Sequence, residues 1–401
     1  MSLSVLISGV GIAGPTLAYW LREWGYRPTL IERAAAPRTD GYIIDFWGLG
    51  YELAERMGLL PALAEQGYHV RELRFVDDRG CCISGFGIDI FHTLTGGRYV
   101  SLPRSLLAKL IFERIEGRCE AIFGDSIASL VQSGDGVDVT FERSAGRRFD
   151  LVIGADGLHS AVRGLVFGSE TQFQKYLGYM FAAFEAEAYW PRDEDVYVAY
   201  GAPGKQAGRF VMRDGRTLFL LVFAEDQPLP LEADNKAMQK KILHEAFDGA
   251  GWECEKILAA LDVSDEIYID QVCQIRMPYW SRGRVALVGD AAFAPSLLAG
   301  QGSALAMIGA YVLAGELARN GTQPETAFER YEHRLRGFMT AKQNAAKGFA
   351  LSFAPKTRLG LFFRNQVMKA FVISGLARAV IGPGLLDRID VPDYSKDLDP
   401  A

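Results

Sequence analysis

The pattern of apolar and polar positions begins with a strand–helix–strand arrangement. A short apolar run at Leu3–Ile7 is followed by a helical pattern over 12–24 and a second apolar run at Arg27–Ile31. Short uninterrupted apolar runs are typical of strands that are buried on both faces of a parallel sheet. The first part of the chain therefore predicts a β–α–β unit of about thirty residues.

The pattern changes twice further along the chain. Residues 126–154 predict an antiparallel meander with a hairpin turn at Ser133–Gly136, ending in a buried strand over 150–154. Residues 173–275 alternate aromatic and β-branched positions with polar ones, and Asp214–Gly215 supplies another hairpin turn. The buried-strand pattern returns at 284–288. An antiparallel sheet is therefore expected as an insertion into a parallel one.

Periodic segments between and after these strands predict the helices. They fall at 50–58, 103–115, 236–247, 301–319, 324–347 and 356–380. The predicted fold is α/β (α+β): a Rossmann-like dinucleotide-binding domain, an inserted substrate domain and a C-terminal helix. We assign the first domain to 1–70, 98–172 and 276–350, the second to 71–97 and 173–275, and a bridging helix and extended acidic tail to 351–401.

Charge and composition exclude several classes of protein. The chain carries 43 basic and 49 acidic residues, a net charge of −6, and no basic aromatic stripe, which argues against nucleic-acid binding. Its long apolar stretches, 297–317 and 359–381, contain glycines or charges, so no transmembrane segment is expected. No signal peptide is evident, and five scattered cysteines without a CxxC pair favour reduced thiols in a cytoplasmic protein. We expect a monomer or a weak homodimer. No metal motif is present.

Glycine is the exception in this ordinary composition. The chain has 43 glycines among 401 residues, where an average composition gives about 28. Three of them form the motif Gly9-Val-Gly11-Ile12-Ala13-Gly14 between the first strand and the first helix.

This motif is typical of dinucleotide binding. Its glycines permit a tight turn, close approach to a pyrophosphate and close helix packing, and the helix N-terminus attracts phosphate. Glu32, followed by Arg33, ends the second strand where a carboxylate can accept hydrogen bonds from ribose. The alternative is a glycine-rich turn that only lets the helix pack closely.

Two aspartates follow buried strands elsewhere in the chain. Asp156 lies in the segment after 150–154, and Asp290 follows 284–288. Ligands of parallel sheets bind at the carboxyl ends of their strands, so both carboxylates are expected at one site.

Together, these three segments resemble the motifs of the class A flavoprotein monooxygenases, the group of para-hydroxybenzoate hydroxylase and the tetracycline-inactivating monooxygenases. The resemblance covers about residues 1–350 and keeps the order of the motifs. It implies FAD, with the Gly9–Gly14 turn and Glu32 at the adenosine end and Asp290 on the ribityl chain. It also implies that Arg104 lies near the pyrophosphate and that Asp156 serves FAD and, indirectly, the nicotinamide donor.

The segment Gly300-Gln301-Gly302 opens a helix. Its positive N-terminus would suit the flavin pyrimidine edge, although an ordinary helix cap is an equal alternative. Two positions depart from the family: Phe293 stands where histidine is frequent, and Leu297 stands where a proline is usual.

Substrate contacts are less constrained by the sequence. Asp45, between apolar residues after the second strand, is expected either to orient a substrate hydroxyl or amine or to be a solvated loop acid. Aromatic and apolar wall candidates come from the inserted sheet and the loop before the last long helices, with core packing as the alternative role for each. They are Met180, Phe181, Phe184, Phe210, Met212, Leu220 and Pro295.

The resemblance implies an activity. NADPH or NADH would reduce FAD transiently, and O2 would then form a flavin C4a-hydroperoxide that hydroxylates an aromatic or polycyclic small molecule. Two alternatives stay open: a flavin oxidoreductase without oxygen insertion, and a non-catalytic FAD protein that shields an intermediate.

Residues 333–378 contain nine lysines and arginines and no acid. One interpretation is contact with an anionic membrane or an electron-donor partner. The other, which the sequence favours, is a helix that clamps the two domains, buries its apolar face and leaves a basic face in water.

Overall fold

The computed structural model describes residues 2–37, 42–87, 93, 95–191, 193–231, 235–321, 323–370 and 389–396. Its strands are β1 (Ser4–Ser8), β2 (Arg27–Glu32), β3 (Ile43–Trp47), β4 (Glu72–Val76), β5 (Cys82–Gly87), β6 (Tyr99–Pro103), β7 (Glu120–Phe123), β8 (Ile127–Ser133), β9 (Gly136–Phe141), β10 (Arg147–Phe149), β11 (Leu151–Gly154), β12 (Gln174–Ala186), β13 (Val196–Ala202), β14 (Lys205–Val211), β15 (Thr217–Ala224), β16 (Ile267–Ile275), β17 (Ser281–Arg282) and β18 (Val285–Leu287). Its α-helices are α1 (Ala13–Glu23), α2 (Gly48–Arg56), α3 (Leu60–Gln66), α4 (Arg104–Glu113), α5 (Ala161–Val166), α6 (Lys236–Phe247), α7 (Cys254–Val263), α8 (Asp290–Phe293), α9 (Gly302–Arg319), α10 (Pro324–Phe353) and α11 (Arg358–Ala370).

The predicted buried strands assemble into one parallel sheet. Its order is β17-β18-β11-β1-β2-β7, and only the short edge strand β17 runs antiparallel to its neighbour. In register, Val5 of β1 lies between Leu151 and Pro28. The carboxyl ends of β1, β11 and β18 therefore meet at one edge, which brings together the three segments that the sequence pattern singled out.

A second sheet of seven strands comes mainly from the inserted region. Its order is β16-β12-β15-β14-β13-β4-β5, and all its neighbours are antiparallel except β13 and β4. The fold class expected from the sequence, with parallel and antiparallel sheets interleaved along the chain, is confirmed.

The two faces of this second sheet have different partners. On its outer face, Met180 and Phe219 pack with Leu243 of α6 and Leu258 of α7. On its inner face, side chains pack toward the parallel-sheet half of the molecule, against Tyr42, Tyr68 and Leu298. Strand geometry causes this division, since successive side chains of a strand point to opposite faces.

The predicted helices are found close to their expected positions, and four further helices, α3, α5, α7 and α8, were not predicted. Helix α10 extends to Phe353 rather than to 347, and the chain then breaks before α11 begins at Arg358. Residues 371–380 of the expected last helix lie outside the described residues. Helix α7 was missed, although its buried positions Cys254, Ile257, Leu258 and Leu261 have helical spacing.

The sequence predicted an extended acidic tail, but the described part of this tail packs against the rest of the protein. Residues 389–396 lie against α1 and α9, and Tyr394 is fully buried. Its ring contacts Trp24 and Tyr311, and its hydroxyl donates a 2.6 Å hydrogen bond to Glu316. Gly315 makes room for this ring, because a Cβ there would lie 2.3 Å from it.

We expect Tyr394→Ala to lower the free energy of unfolding by about 3 to 5 kcal/mol, since it removes a large aromatic ring from a packed interior. Urea unfolding followed by tryptophan fluorescence measures the change. Lys396→Ala is the matched control, because Lys396 is exposed in the same turn and should alter stability by less than about 0.5 kcal/mol. Equal effects of the two substitutions would contradict the anchoring role of Tyr394.

Candidate active site

The glycines of the first turn have two distinct structural roles. Gly9 adopts φ +107°, and a Cβ on it would lie 2.5 Å from the Ala155 carbonyl oxygen. A Cβ on Gly14 would lie 2.0 Å from the carbonyl oxygen of Gly9. In contrast, a Cβ on Gly11 would meet nothing within 4 Å. Gly9 and Gly14 therefore allow close backbone packing, whereas Gly11 leaves open space beside the helix N-terminus.

A cavity of about 1530 Å³ begins at this open space and reaches the inner edge of the second sheet. Most of the cofactor residues expected from the sequence line it. These are Gly9, Gly11, Ile12, Ala13, Glu32, Arg33, Arg104, Asp156, Asp290, Gly300 and Gly302. Gly14 lies behind the turn, and Gln301 is not among the lining residues.

The cavity wall at the start of α1 presents backbone amides. No side chain caps this helix, so its first N–H groups are available to an anion. The Glu32 carboxylate, at the end of β2, accepts hydrogen bonds of 2.9 Å from the amides of Val10 and Ala34. Glu32 thus holds the glycine turn in place as well as lining the cavity.

Asp156 is bonded within the protein itself. It accepts hydrogen bonds from the Val162 amide at 3.1 Å and from the Ser160 hydroxyl, and so caps the short helix α5. Burial raises the pKa of its carboxyl group, and these hydrogen bonds oppose that rise. Asp156 therefore fixes the loop after β11 at the cavity wall.

Asp290 follows β18, the strand next to β11, after a residue with left-handed backbone. Gly289 has φ +67°, which turns the chain from β18 into α8. Burial raises the pKa of the Asp290 carboxyl group, and the Arg104 guanidinium lowers it. The first turn of α9 lies beside it, since a Cβ on Gly302 would be 3.8 Å from an Asp290 carboxylate oxygen.

The structure places the residues expected to contact a substrate in different environments: the cavity wall, the inner face of the second sheet and its outer face. Pro295 lines the cavity. Phe181, Phe210, Met212 and Leu220 share the inner face of the second sheet but pack in the apolar cluster behind the cavity wall. Met180 lies on the outer face, so it was wrong as a wall candidate; Phe184 joins that outer cluster and also borders the cavity.

Asp45 is neither a free loop acid nor a lining residue of this cavity. It lies in β3, opposite Ser101 of β6. Its carboxylate accepts a 2.7 Å hydrogen bond from the Ser101 hydroxyl and another from the Tyr99 hydroxyl.

Phe293 and Leu297, the two departures from the family pattern, have different environments. Phe293 is buried, with its ring 4.8 Å from that of Trp280, and it packs on Gly309. Leu297 begins a short 3₁₀ turn that borders the cavity. Phe293 therefore belongs to the core, and the cavity wall at this point is made by Leu297 and its neighbours.

Sequence reasoning missed a charged group that joins the two halves of the site. The His159 ring lies 2.9 Å from Glu170 and 3.1 Å from Asp270 of β16, and Tyr268 donates a 3.0 Å hydrogen bond to Asp270. Asp270 and, next, Glu170 raise the pKa of His159 to about 10. The adjacent polar residues Asp270 and Gln271, which interrupt the alternation of strand 267–275, were the available sequence signal for this group.

Comparison with known proteins places these features in a family. Residues 2–345 match the model of the FAD-binding domain family FAD_binding_3. The chain belongs to this family of flavin monooxygenases. It is therefore an FAD-dependent monooxygenase, an oxidoreductase.

Individual relatives cover most of the chain. It is 39% identical over 344 residues to an uncharacterised protein of Mycobacterium tuberculosis, with 85% of this chain and 91% of the relative covered. A flavin-dependent monooxygenase of Legionella longbeachae is 32% identical, with 88% and 90% covered. The solved structure of tetracycline destructase Tet(55) matches with a TM-score of 0.82 at 30% identity, covering 98% of this chain and 99% of that one.

We expect Gly11→Val to abolish FAD binding without unfolding the protein, because its side chain would fill the open space at the turn. Flavin absorbance of the purified protein and its far-ultraviolet circular dichroism check the two parts of this prediction. Gly337→Val is the matched control, since a Cβ at Gly337 also meets nothing within 4 Å but lies on helix α10, away from the cavity. A Gly11→Val protein with its full flavin content would refute the role of the turn.

We expect His159→Gln to lower the Tm most in mildly acidic buffer. A raised histidine pKa contributes stability that is complete below the ordinary value of 6.5 and is lost as pH rises through about 10. The Tm difference between wild type and variant should therefore shrink steadily across that interval. Thermal unfolding at a series of pH values tests this, and a constant difference would show that His159 stabilises the protein without its charge.

Proposed function

We propose that this enzyme uses NADPH or NADH and O2 to hydroxylate an aromatic or polycyclic small molecule. The observation that carries the proposal is the single continuous cavity, which runs from the glycine turn to the inner edge of the antiparallel sheet. One end suits a pyrophosphate, and farther along Tyr42, Leu218, Tyr268 and Pro295 supply aromatic and apolar wall beside charged residues such as Arg216 and Glu266. A space of this size accommodates a dinucleotide together with a second small molecule.

The residues present fit FAD. The open position at Gly11 and the uncapped amides of Ile12 and Ala13 would receive the pyrophosphate. Glu32 and Arg33 would border the adenosine ribose, and Asp290 would accept hydrogen bonds from ribityl hydroxyls. Gly14 would act indirectly, by allowing α1 to pack against the turn.

The remaining cofactor contacts come from other parts of the wall. Arg104, with its charge near Asp290, would approach the pyrophosphate region, and Asp156 would hold the loop beside it. The N-terminus of α9, at Gly300–Gly302, would stabilise negative charge on the flavin by about 0.3 to 2 kcal/mol. When bound, FAD supplies the redox chemistry, and the protein supplies orientation and shielding from water.

The electron donor is proposed to bind only transiently. The sequence contains a single GxGxxG motif, at Gly9–Gly14, so no second Rossmann unit is available for a nicotinamide dinucleotide. Tyr42, Tyr268 and Asp270 border the part of the cavity that a visiting ligand would reach.

The substrate is proposed to be apolar and ring-shaped because of the residues behind and around the cavity. Phe181, Phe210, Met212 and Leu220 form an apolar layer on the inner face of the sheet, and Pro295 and Leu297 close the wall facing it. Asp45, already bonded to two hydroxyl groups, would orient a substrate hydroxyl or amine if a ligand extended toward β3.

The decisive experiment is a screen of aromatic and polycyclic compounds, including tetracycline, for stimulation of NADPH and NADH consumption. A true substrate should give a product that is heavier by one oxygen atom, which mass spectrometry with ¹⁸O₂ detects. Gly11→Val is the control for flavin dependence.

Two other results would overturn the proposal. Turnover without incorporation of oxygen would indicate an oxidoreductase that does not insert it. Tight binding of a compound without any turnover would indicate a protein that shields its ligand.

A further inference from the structure

The last described helix, α11, exposes a row of large apolar side chains. Leu359, Phe362, Phe363 and Val367 are 65%, 55%, 59% and 44% exposed. Their spacing, i, i+3, i+4 and i+8, places them on one face of the helix. The expectation that this helix buries its apolar face is therefore wrong for these four residues.

The opposite face of α11 is fixed to the second sheet. Arg364 is buried and donates hydrogen bonds to Gln206 at 3.0 Å and to the Phe353 carbonyl oxygen at 3.1 Å. Its guanidinium also lies 4.4 Å from the centre of the Phe75 ring. Burial lowers the pKa of Arg364 to about 10. The helix cannot rotate to hide Phe362 and Phe363 without exposing this bonded arginine.

Basic side chains lie at both ends of the exposed row. The 46 positions from 333 to 378 hold nine basic residues and no acid. Three of the nine add no charge to this surface, because Arg334 and Arg336 pair with Glu316 and Glu332 and Arg364 is buried. Arg358 and Lys369, at the two ends of α11, are both exposed. Lys356 is neutralised by Asp226 at 2.9 Å.

A cluster of three cations is formed by Lys347 on α10, Lys175 on β12 and Arg276, which directly follows β16. Lys175 of β12 and, next, Arg276 lower the pKa of Lys347, because like charges oppose its protonated form. The Arg276 guanidinium bonds only to the uncharged side chains of Gln274 and Asn344 among the described residues. Leu351, one helical turn beyond Lys347, is 60% exposed. Lys347 and Leu351 are therefore neighbours on α10, and α11 lies close to the end of that helix, since Arg364 bonds to the Phe353 carbonyl oxygen.

We propose that this surface, the outer face of α11 with Leu351 and the Lys175–Arg276–Lys347 cluster, docks on an anionic lipid bilayer. The combination matches an interfacial helix, in which apolar side chains enter the boundary of the acyl chains and basic residues meet lipid phosphates. A symmetric contact between two copies would bring these cations against each other, which disfavours a second chain as the occupant.

Docking would be peripheral. Helix α11 has 13 described residues, which corresponds to about 20 Å, against roughly 30 Å for a bilayer core. No helix in the described part of the chain is long and apolar enough to cross a membrane. The proposal does not depend on the substrate, but it would bring the antiparallel sheet close to lipophilic compounds dissolved in the bilayer.

Sedimentation with lipid vesicles tests the proposal on the intact, FAD-loaded protein. Wild type should pellet with vesicles that contain phosphatidylglycerol and much less with vesicles of phosphatidylcholine alone. Phe362→Ser/Phe363→Ser should abolish pelleting, whereas Val131→Ser, at a 64% exposed apolar position on β8, should leave it unchanged. Lys175→Gln/Lys347→Gln should weaken binding to the anionic vesicles by roughly thirty-fold.

Flavin content, Tm and sedimentation velocity of each variant complete the experiment. Wild type that fails to pellet with either vesicle, or a Phe362→Ser/Phe363→Ser variant that still pellets, would overturn the proposal. A wild-type dimer that this double substitution converts to a monomer would assign the face to a second copy instead. A large fall in Tm of the same variant without vesicle binding by wild type would show that the face is packed within the chain.

Discussion

The close approach of two backbone segments at the start of the chain is the constraint on which the site depends. The Gly9 turn lies against Ala155, at the end of β11, and α1 lies against the turn. Any side chain at Gly9 or Gly14 would separate these elements. Because the elements meet so closely, the helix amides, the loop after β11 and the loop after β18 all face one space, and a cofactor can touch segments that are far apart in sequence.

Much of this arrangement follows from local sequence pattern. Uninterrupted apolar runs identified β1, β2, β11 and β18 within one or two residues, because strands buried on both faces have few alternatives. The hairpin turns at 133–136 and 214–215 were equally clear, since glycine and aspartate between two alternating runs are typical of turns, and Gly215 adopts φ +86°. The segments that line the cavity could therefore be identified before their distances were known.

Other features depend on tertiary contacts that a single sequence does not contain. The inner and outer faces of β12 both carry apolar residues, so nothing local distinguished Met180, which packs on helices, from Phe181. Nothing near Asp45 indicated that Ser101 would face it across a strand pair. The bond of His159 to Asp270 joins positions 111 residues apart. Residues of this kind are found only when the topology is known.

The two-sided packing of the antiparallel sheet has a consequence for how such an enzyme can change. Along β12, Met180 and Ala182 belong to a core that the inserted region completes with its own helices, whereas Tyr179, Phe181 and Ala183 face the rest of the molecule. Two packing environments thus alternate along the same strand. A library that varies every second residue would perturb one of these clusters and leave the other intact, and one that varies consecutive residues would disturb both together.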